Sequence, residues 1–175
     1  RFYKEQDVAL LFSEDIQATD FKDDTLARGL DKLSEAAPWK VYSALALSAL
    51  HVLNLTIGVI HSDTTSVSVF GEYDKPSDLH ITRGYSKDHR PDLKQIVMGM
   101  GVTPQRIPLL ATIENGNESD KTWNMSFIKK MRHLLSTEEW VQMMYVADSA
   151  LITFENLKKL RLDVNFLSRL PDNFA

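Results

Sequence analysis

The chain has no cysteine, which excludes disulfides and thiolate metal sites and is in keeping with a reducing cytoplasm. No apolar run is long enough to span a bilayer, and Arg1-Phe-Tyr-Lys-Glu carries no signal-peptide pattern, so no membrane partner is expected. Methionine is missing from the first position, and the chain therefore reads as a piece of something longer. The five His residues lack ligand spacing, which makes zinc a poor reading. A basic excess is lacking too: the net charge is −4, against a uniformly basic nucleic-acid binder. The halves differ, however. Residues 1–78 hold 7 Lys and Arg against 13 Asp and Glu, a balance of −6, whereas residues 79–175 hold 13 against 11, a balance of +2. A local basic surface in the second half stays open.

With 175 residues, 43% of them hydrophobic, the chain can bury one substantial core and a small accessory piece. Its most telling stretch is Ile57 to Phe70, rich in β-branched residues. Ile57, Val59, Thr65, Val67 and Val69 share one parity, and Ser62, Thr64, Ser66 and Ser68 share the other. That is a strand pattern. Asp63 interrupts it, because it falls on the apolar parity, where a carboxylate is expected to lose hydration and need a cation. The bland alternative is an Asx-turn at a strand end.

The remaining elements fall in order around this strand. Residues 1–22 read as a short helix and a turn. Leu26, Leu30, Leu33 and Ala37 recur at helical spacing behind Asp23 or Asp24 as cap, and a second helix starts near Pro38 and runs to Asn54. Residues 1–54 are thus a helical N-terminal region, and 55–175 a second domain built on strands. Gly71 to Leu93 is a long polar connection of the kind that is usually functional or mobile. In it and just beyond it, Arg83, Lys87, His89, Arg90 and Lys94, with Tyr85, supply cations and planar groups suited to a phosphate backbone, although Asp88 and Asp92 partly neutralise them. Residues 95–102 and 107–114 read as a hairpin across Thr103-Pro-Gln-Arg. Ser119 or Asp120 caps a helix with a Trp123, Phe127, Met131 and Leu134 stripe, and Ser136-Thr-Glu-Glu139 is a capping box. Val141 to Ser149 reads as a strand buried on both faces and ending on Asp148. A helix over 153–162 and a strand over 165–171 complete the chain.

Three antiparallel strands followed by right-handed crossovers place the Asp148 strand parallel to and beside the Asp63 strand. Two carboxylates then meet at the strand ends where α/β sheets bind ligands. Close carboxylates repel unless one is protonated or both bind a hard ion, and Mg²⁺ suits a few carboxylates plus phosphate oxygens. Phosphodiester chemistry by a two-metal site follows from that pairing.

Ser62-Asp-Thr-Thr-Ser, Arg83-Gly-Tyr-Ser-Lys-Asp-His-Arg-Pro-Asp-Leu-Lys-Gln-Ile, Ile107-Pro-Leu-Leu, Gly116-Asn-Glu-Ser-Asp-Lys-Thr-Trp and Tyr145-Val-Ala-Asp-Ser-Ala, in this order and spacing, together resemble a DDE transposase of a bacterial insertion sequence. The resemblance extends from about Asp23 to the end. It implies an RNase H-like α/β fold, a mixed sheet preceded by a small helical region, and makes residues 55–175 a partial RNase H-like catalytic domain. It also implies Mg²⁺ or Mn²⁺ in a two-metal site, cleavage at transposon ends and transfer of the 3′-hydroxyl into target DNA. Its partners are double-stranded DNA and, in the synaptic complex, a second copy; its setting is the bacterial cytoplasm, on the nucleoid when bound to DNA. By this match Asp63 and Asp148 are the first two acidic residues. The family's third acid, a Glu on a later helix, has no counterpart in the 27 residues after Asp148, and Glu155 falls too early. The expectation is a core truncated before its third ligand, which does not transpose alone. Rival readings are a non-catalytic DNA-binding or regulatory relic and an actin-like or sugar-kinase ATPase. The latter is disfavoured because Asp63 stands where a phosphate must approach; a haloacid-dehalogenase-like phosphatase requires an Asp at Thr65.

Overall fold

The computed structural model describes residues 2–75, 77–160 and 164–172. Two compact units, Arg1–Val41 and Tyr42–Ala175, divide the chain. In the first, a 3₁₀ turn (Phe2–Glu5), α1 (Val8–Leu11) and a second 3₁₀ turn (Ala18–Asp20) gather Tyr3, Phe12 and Phe21. Tyr3 stacks on Phe21 with centroids 4.0 Å apart, and Asp7 caps α1 by accepting the Leu10 N–H at 3.1 Å. In α2 (Asp23–Glu35) the N-cap position is Lys22, not either Asp; Asp23 and Asp24 lie inside the first turn, where carboxylates favour the helix dipole. Its leucine stripe, Leu26, Leu30 and Leu33, is exposed. Pro38 opens α3 (Pro38–Val52), whose later turns bury Ser43, Ala46 and Leu50.

The second unit is built on a five-stranded mixed sheet in the order β3-β2-β1-β4-β5. Here β1 is Val59–Val69, β2 Lys94–Val102 and β3 Pro108–Glu114, joined as antiparallel neighbours. The turn between β2 and β3 ends on Arg106 with φ of 65°. After α4 (Asp120–Leu134) and α5 (Thr137–Gln142), β4 (Met144–Ala147) lies parallel to β1, and after α6 (Phe154–Leu160) β5 (Asn165–Ser168) lies parallel to β4. The parallel placement of β4 beside β1 is the one expected from the crossovers, in a mixed sheet of the RNase H-like kind that the resemblance implies. Ser119 caps α4 by accepting the Thr122 N–H at 3.3 Å, and the Ser136–Glu139 capping box starts α5. The end of the helix read over 153–162 reaches residues 161–162, which lie outside the described residues.

Helix α4 packs on one face of this sheet through Trp123, Phe127 and Met131, all buried. Facing them are small residues. A Cβ on Gly99 meets the Trp123 ring at 2.2 Å, and one on Gly101 meets Phe127 at 2.8 Å, so the glycines are where the aromatic rings sit. Ser62, Thr64 and Ser66 of β1 also belong to this buried face, while Asp63, Thr65 and Val67 point to the opposite, open one. The expectation that Asp63 shares a buried apolar parity is therefore overturned. Small hydroxyl residues leave room for α4 and find hydrogen bonds: Ser62 Oγ–H donates to Val146 O at 3.1 Å, and Thr64 Oγ1–H donates to Asp120 Oδ1 at 2.5 Å.

The reading of residues 141–149 as a strand buried on both faces is also corrected. Val141 and Gln142 belong to α5, because the capping box extends the helix through them, and of the four β4 residues only Tyr145 is buried. Met144 and Val146 lie on the open face.

Candidate functional site

Strand β1 pairs with β2 along its length but with β4 only over Val59–His61. Since β4 stops at Ala147, the second edge of β1 is left without a strand from Ser62 onward. The register pairs His61 with Val146, so two residues further along each strand Asp63 and Asp148 come side by side on the open face. Both line one open cleft of about 350 Å³ together with His61, Met100 and Val146. Each carboxylate is oriented by a backbone donor. Asp63 Oδ1 accepts the Thr64 N–H at 2.7 Å, and Asp148 Oδ1 accepts the Ala150 N–H at 3.1 Å. Among the described residues neither Oδ2 has a protein partner, and the Asp63 side chain is 76% exposed.

Beneath this cleft, on the covered face, the Tyr145 hydroxyl donates to Asn124 Oδ1 at 2.8 Å. Burial pushes the Tyr145 phenol well above its ordinary range; a Ser62 hydrogen bond opposes the rise and the Asp148 charge adds to it. Two somewhat larger clefts run along the connection between Glu72 and Thr82, away from both aspartates. Another, of about 360 Å³, lies beside Lys87 and Asp120. Neither Asp63 nor Asp148 lines any of these three, and we place the site at the cleft that both line.

The predicted cations scatter. Lys87 turns inward to β1: its Nζ donates to Thr64 O at 2.5 Å and to Thr64 Oγ1 at 2.9 Å, and lies 3.6 Å from Asp63 Oδ1 and 3.7 Å from Asp120 Oδ2. Arg90 forms a two-pronged pair with Asp92, at 2.9 and 2.7 Å. That hydrogen bonding raises the guanidinium's affinity for its proton, and it outweighs desolvation to hold the Asp92 carboxyl below its ordinary value. Lys94 pairs with Asp74 at 2.6 Å and donates to the Glu72 carbonyl. Arg83 and His89 are exposed, and His89 has a φ of 57°. Glu155 is exposed and pairs with Lys159 at 2.7 Å, one helical turn on.

Three residues near the aspartates escaped the sequence reading. His61 shares the cleft, and its i, i+2 spacing to Asp63 was the available signal. Thr64 and Asp120 were hidden because each carries a plain structural reading, in a strand and at a helix start. The donor set at Asp63 and Asp148, two hard oxygens on adjacent strand ends, fits a divalent ion such as Mg²⁺ or Mn²⁺. Among the described residues no group of three or more His, Cys, Asp or Glu gathers to complete a cage. No described helix is long and apolar enough to cross a membrane.

No protein-family profile matches the chain, and no curated protein matches it. Among solved structures it is similar to the piggyBac transposase in a synaptic complex with hairpin DNA, at 10% identity and a TM-score of 0.47, over 67% of this chain and 24% of that one. It is also similar to the Mos1 transposase in a paired-end complex with the left transposon end, at 12% identity and a TM-score of 0.41, over 91% of this chain and 56% of that one. The chain thus spans less than two thirds of either.

Proposed function

We propose that the chain carries the first two acidic residues of a DDE transposase core of the insertion-sequence type, with Asp63 and Asp148 as ligands of catalytic Mg²⁺ or Mn²⁺. The observation that carries this reading is the register of β1 and β4, which brings two oriented carboxylates with unpartnered oxygens to one open cleft. A two-ion site of this kind, when filled, makes a water or 3′-hydroxyl more nucleophilic and steadies the leaving oxygen of a phosphodiester. The chain's own part is to fix both carboxylates through the Thr64 and Ala150 N–H groups and leave the cleft open for a DNA backbone.

Double-stranded DNA is the proposed substrate, as transposon end and as target, with a second copy in the synaptic assembly. Arg83 and His89 are proposed to meet phosphates directly; Arg90 and Lys94 do so by exchanging Asp92 and Asp74 for phosphate oxygens. With two acids in the cleft among the described residues, the chain alone is proposed to bind metal weakly and to leave end-sequence DNA un-nicked.

Calorimetric titration with Mn²⁺ tests the assignment. The expected result is one weak site that Asp63→Asn and Asp148→Asn each reduce at least tenfold. Binding left intact by both substitutions sinks the reading, as does efficient Mg²⁺-dependent nicking by a double Asp63→Asn, Asp148→Asn variant.

A further inference from the structure

Lys87 stands on the long connection between β1 and β2, yet its place is fixed from several sides. The side chain of Gln95, buried in β2, donates from Nε2 to Gly116 O at 2.7 Å and to Tyr85 O at 3.1 Å. Thr82 forms a β-bridge with Gln95. A Cβ on Gly84 would lie 2.1 Å from Gly116 O, so only glycine lets the two backbones approach this closely. Lys87 itself donates its N–H to Ser66 Oγ at 2.9 Å. The connection is thereby laid along the edge of β1 that β4 leaves vacant, and Lys87 Nζ satisfies the Thr64 carbonyl where a strand partner would have done so.

The ammonium ends among oxygens of three kinds: a carbonyl, a hydroxyl and the two carboxylates of Asp63 and Asp120. A loop lysine that served only to meet DNA would extend into solvent, as its long stem allows. This one is held by Thr64, within ion-pair distance of Asp120 and of Asp63, whose side chain faces the open cleft.

We infer that Lys87 is a positioning residue for Asp63 and its resident counter-ion, against whose charge a divalent cation at Asp63 must bind. The inference rests on the metal-ligand reading of Asp63. It gives Lys87 a regulatory share in the site: the ammonium neutralises the carboxylate when no cation is present and weakens cation affinity when one arrives. Asp120 shares the ammonium and tempers that effect by holding it toward α4.

Mn²⁺ titration of the purified chain, at low salt and at 1 M salt, tests this with opposed signs. Lys87→Met, which keeps length and removes charge, is expected to tighten Mn²⁺ binding about three- to tenfold at low salt, as loss of a unit charge a few ångströms away implies. Lys87→Arg should retain the parent affinity. Asp120→Asn, which frees the ammonium toward Asp63, should weaken binding about twofold. Both changes should shrink at 1 M salt. A purely structural Lys87 moves stability without this pattern, and a purely DNA-contacting Lys87 leaves Mn²⁺ affinity untouched; either outcome overturns the inference. Should Lys87→Met fail to fold, Asp120→Asn decides the matter, since tighter or unchanged binding there overturns it too. Loss of binding in Asp63→Asn with Lys87→Met equal to the parent defeats this inference alone, whereas no Mn²⁺ binding by any variant defeats it together with the proposed function.

Discussion

The two faces of the sheet differ in what they bury. The face under α4 carries Ser62, Thr64, Ser66, Gly99, Gly101 and Thr112 beside the buried Ile60, Val97, Leu110 and Tyr145, and is the dry one. The other face carries Val67, Met100, Ile113, Met144 and Leu167, all exposed by a third or more, together with Asp63 and Asp148. The difference teaches that burial in this sheet is decided by shape, because large rings on the helix need small partners on the strands. It also separates labour: stability resides on the covered face, and the candidate chemistry on the open one.

That division is broken most severely at Gly99. The ring of Trp123 lies where a side chain would begin, and its Nε1–H is committed to Thr112 Oγ1 at 3.0 Å, so it cannot swing aside cheaply. Gly99→Val should cost about 3 kcal/mol or more in urea denaturation. A loss below about 1 kcal/mol would show that α4 does not seat tightly on these glycines. Tyr145→Phe comes next. It removes the donor to Asn124 Oδ1, itself buried, and should cost about 1–3 kcal/mol. Mn²⁺ affinity should not change, although the Asp148 charge reaches the Tyr145 phenol; a parallel loss of affinity would join the two faces into one functional unit.

A smaller effect is expected at the capping box that swings the chain from α4 into β4. Burial raises the Glu139 carboxyl, but hydrogen bonds from Ser136 and the contact with His51, at 3.6 Å, outweigh it and hold the carboxyl below its ordinary value of 4.5. A folded-state pKa below the unfolded one contributes stability that is present above the unfolded value and lost as pH falls through the folded one. Glu139→Gln should therefore cost about 0.5 kcal/mol at neutral pH and nothing at about pH 3. A cost that persists in acid would assign the effect to packing around Trp140 instead.

Much of this fold is legible in the sequence because its signals are local. Pro38, Ser119 and the Ser136–Glu139 box mark helix starts, the Thr103–Arg106 turn marks the hairpin, and the handedness of crossovers alone sets β4 beside β1. The face of β1 was not legible. Parity assigns the valines inward, whereas Ser62, Thr64 and Ser66 are buried because β4, α4 and the connection supply their hydrogen bonds, and those partners lie as far as 84 residues away in the chain. The inward turn of Lys87 is hidden for the same reason. Composition marks it as one cation among several in a polar run, and only the Gln95 and Gly84 clamp, closed by tertiary contact, points it at Asp63.

The smallest expected effect tests the open face itself. Ile113 lies on β3, an edge strand, with more than half its surface in solvent, on the same face as Asp63. Its alternation partner Thr112 is buried beneath Trp123. In the isolated chain Ile113→Lys removes little apolar burial and places a charge where edge strands tolerate it well, so stability should change by no more than about 0.5 kcal/mol. Thr112→Lys, one residue away, should prevent folding, because it drives an ammonium into the Trp123 contact and removes that ring's acceptor. Equal damage from both substitutions would mean that the apolar open face is covered in solution, and sedimentation at rising concentration would then reveal a second copy on it.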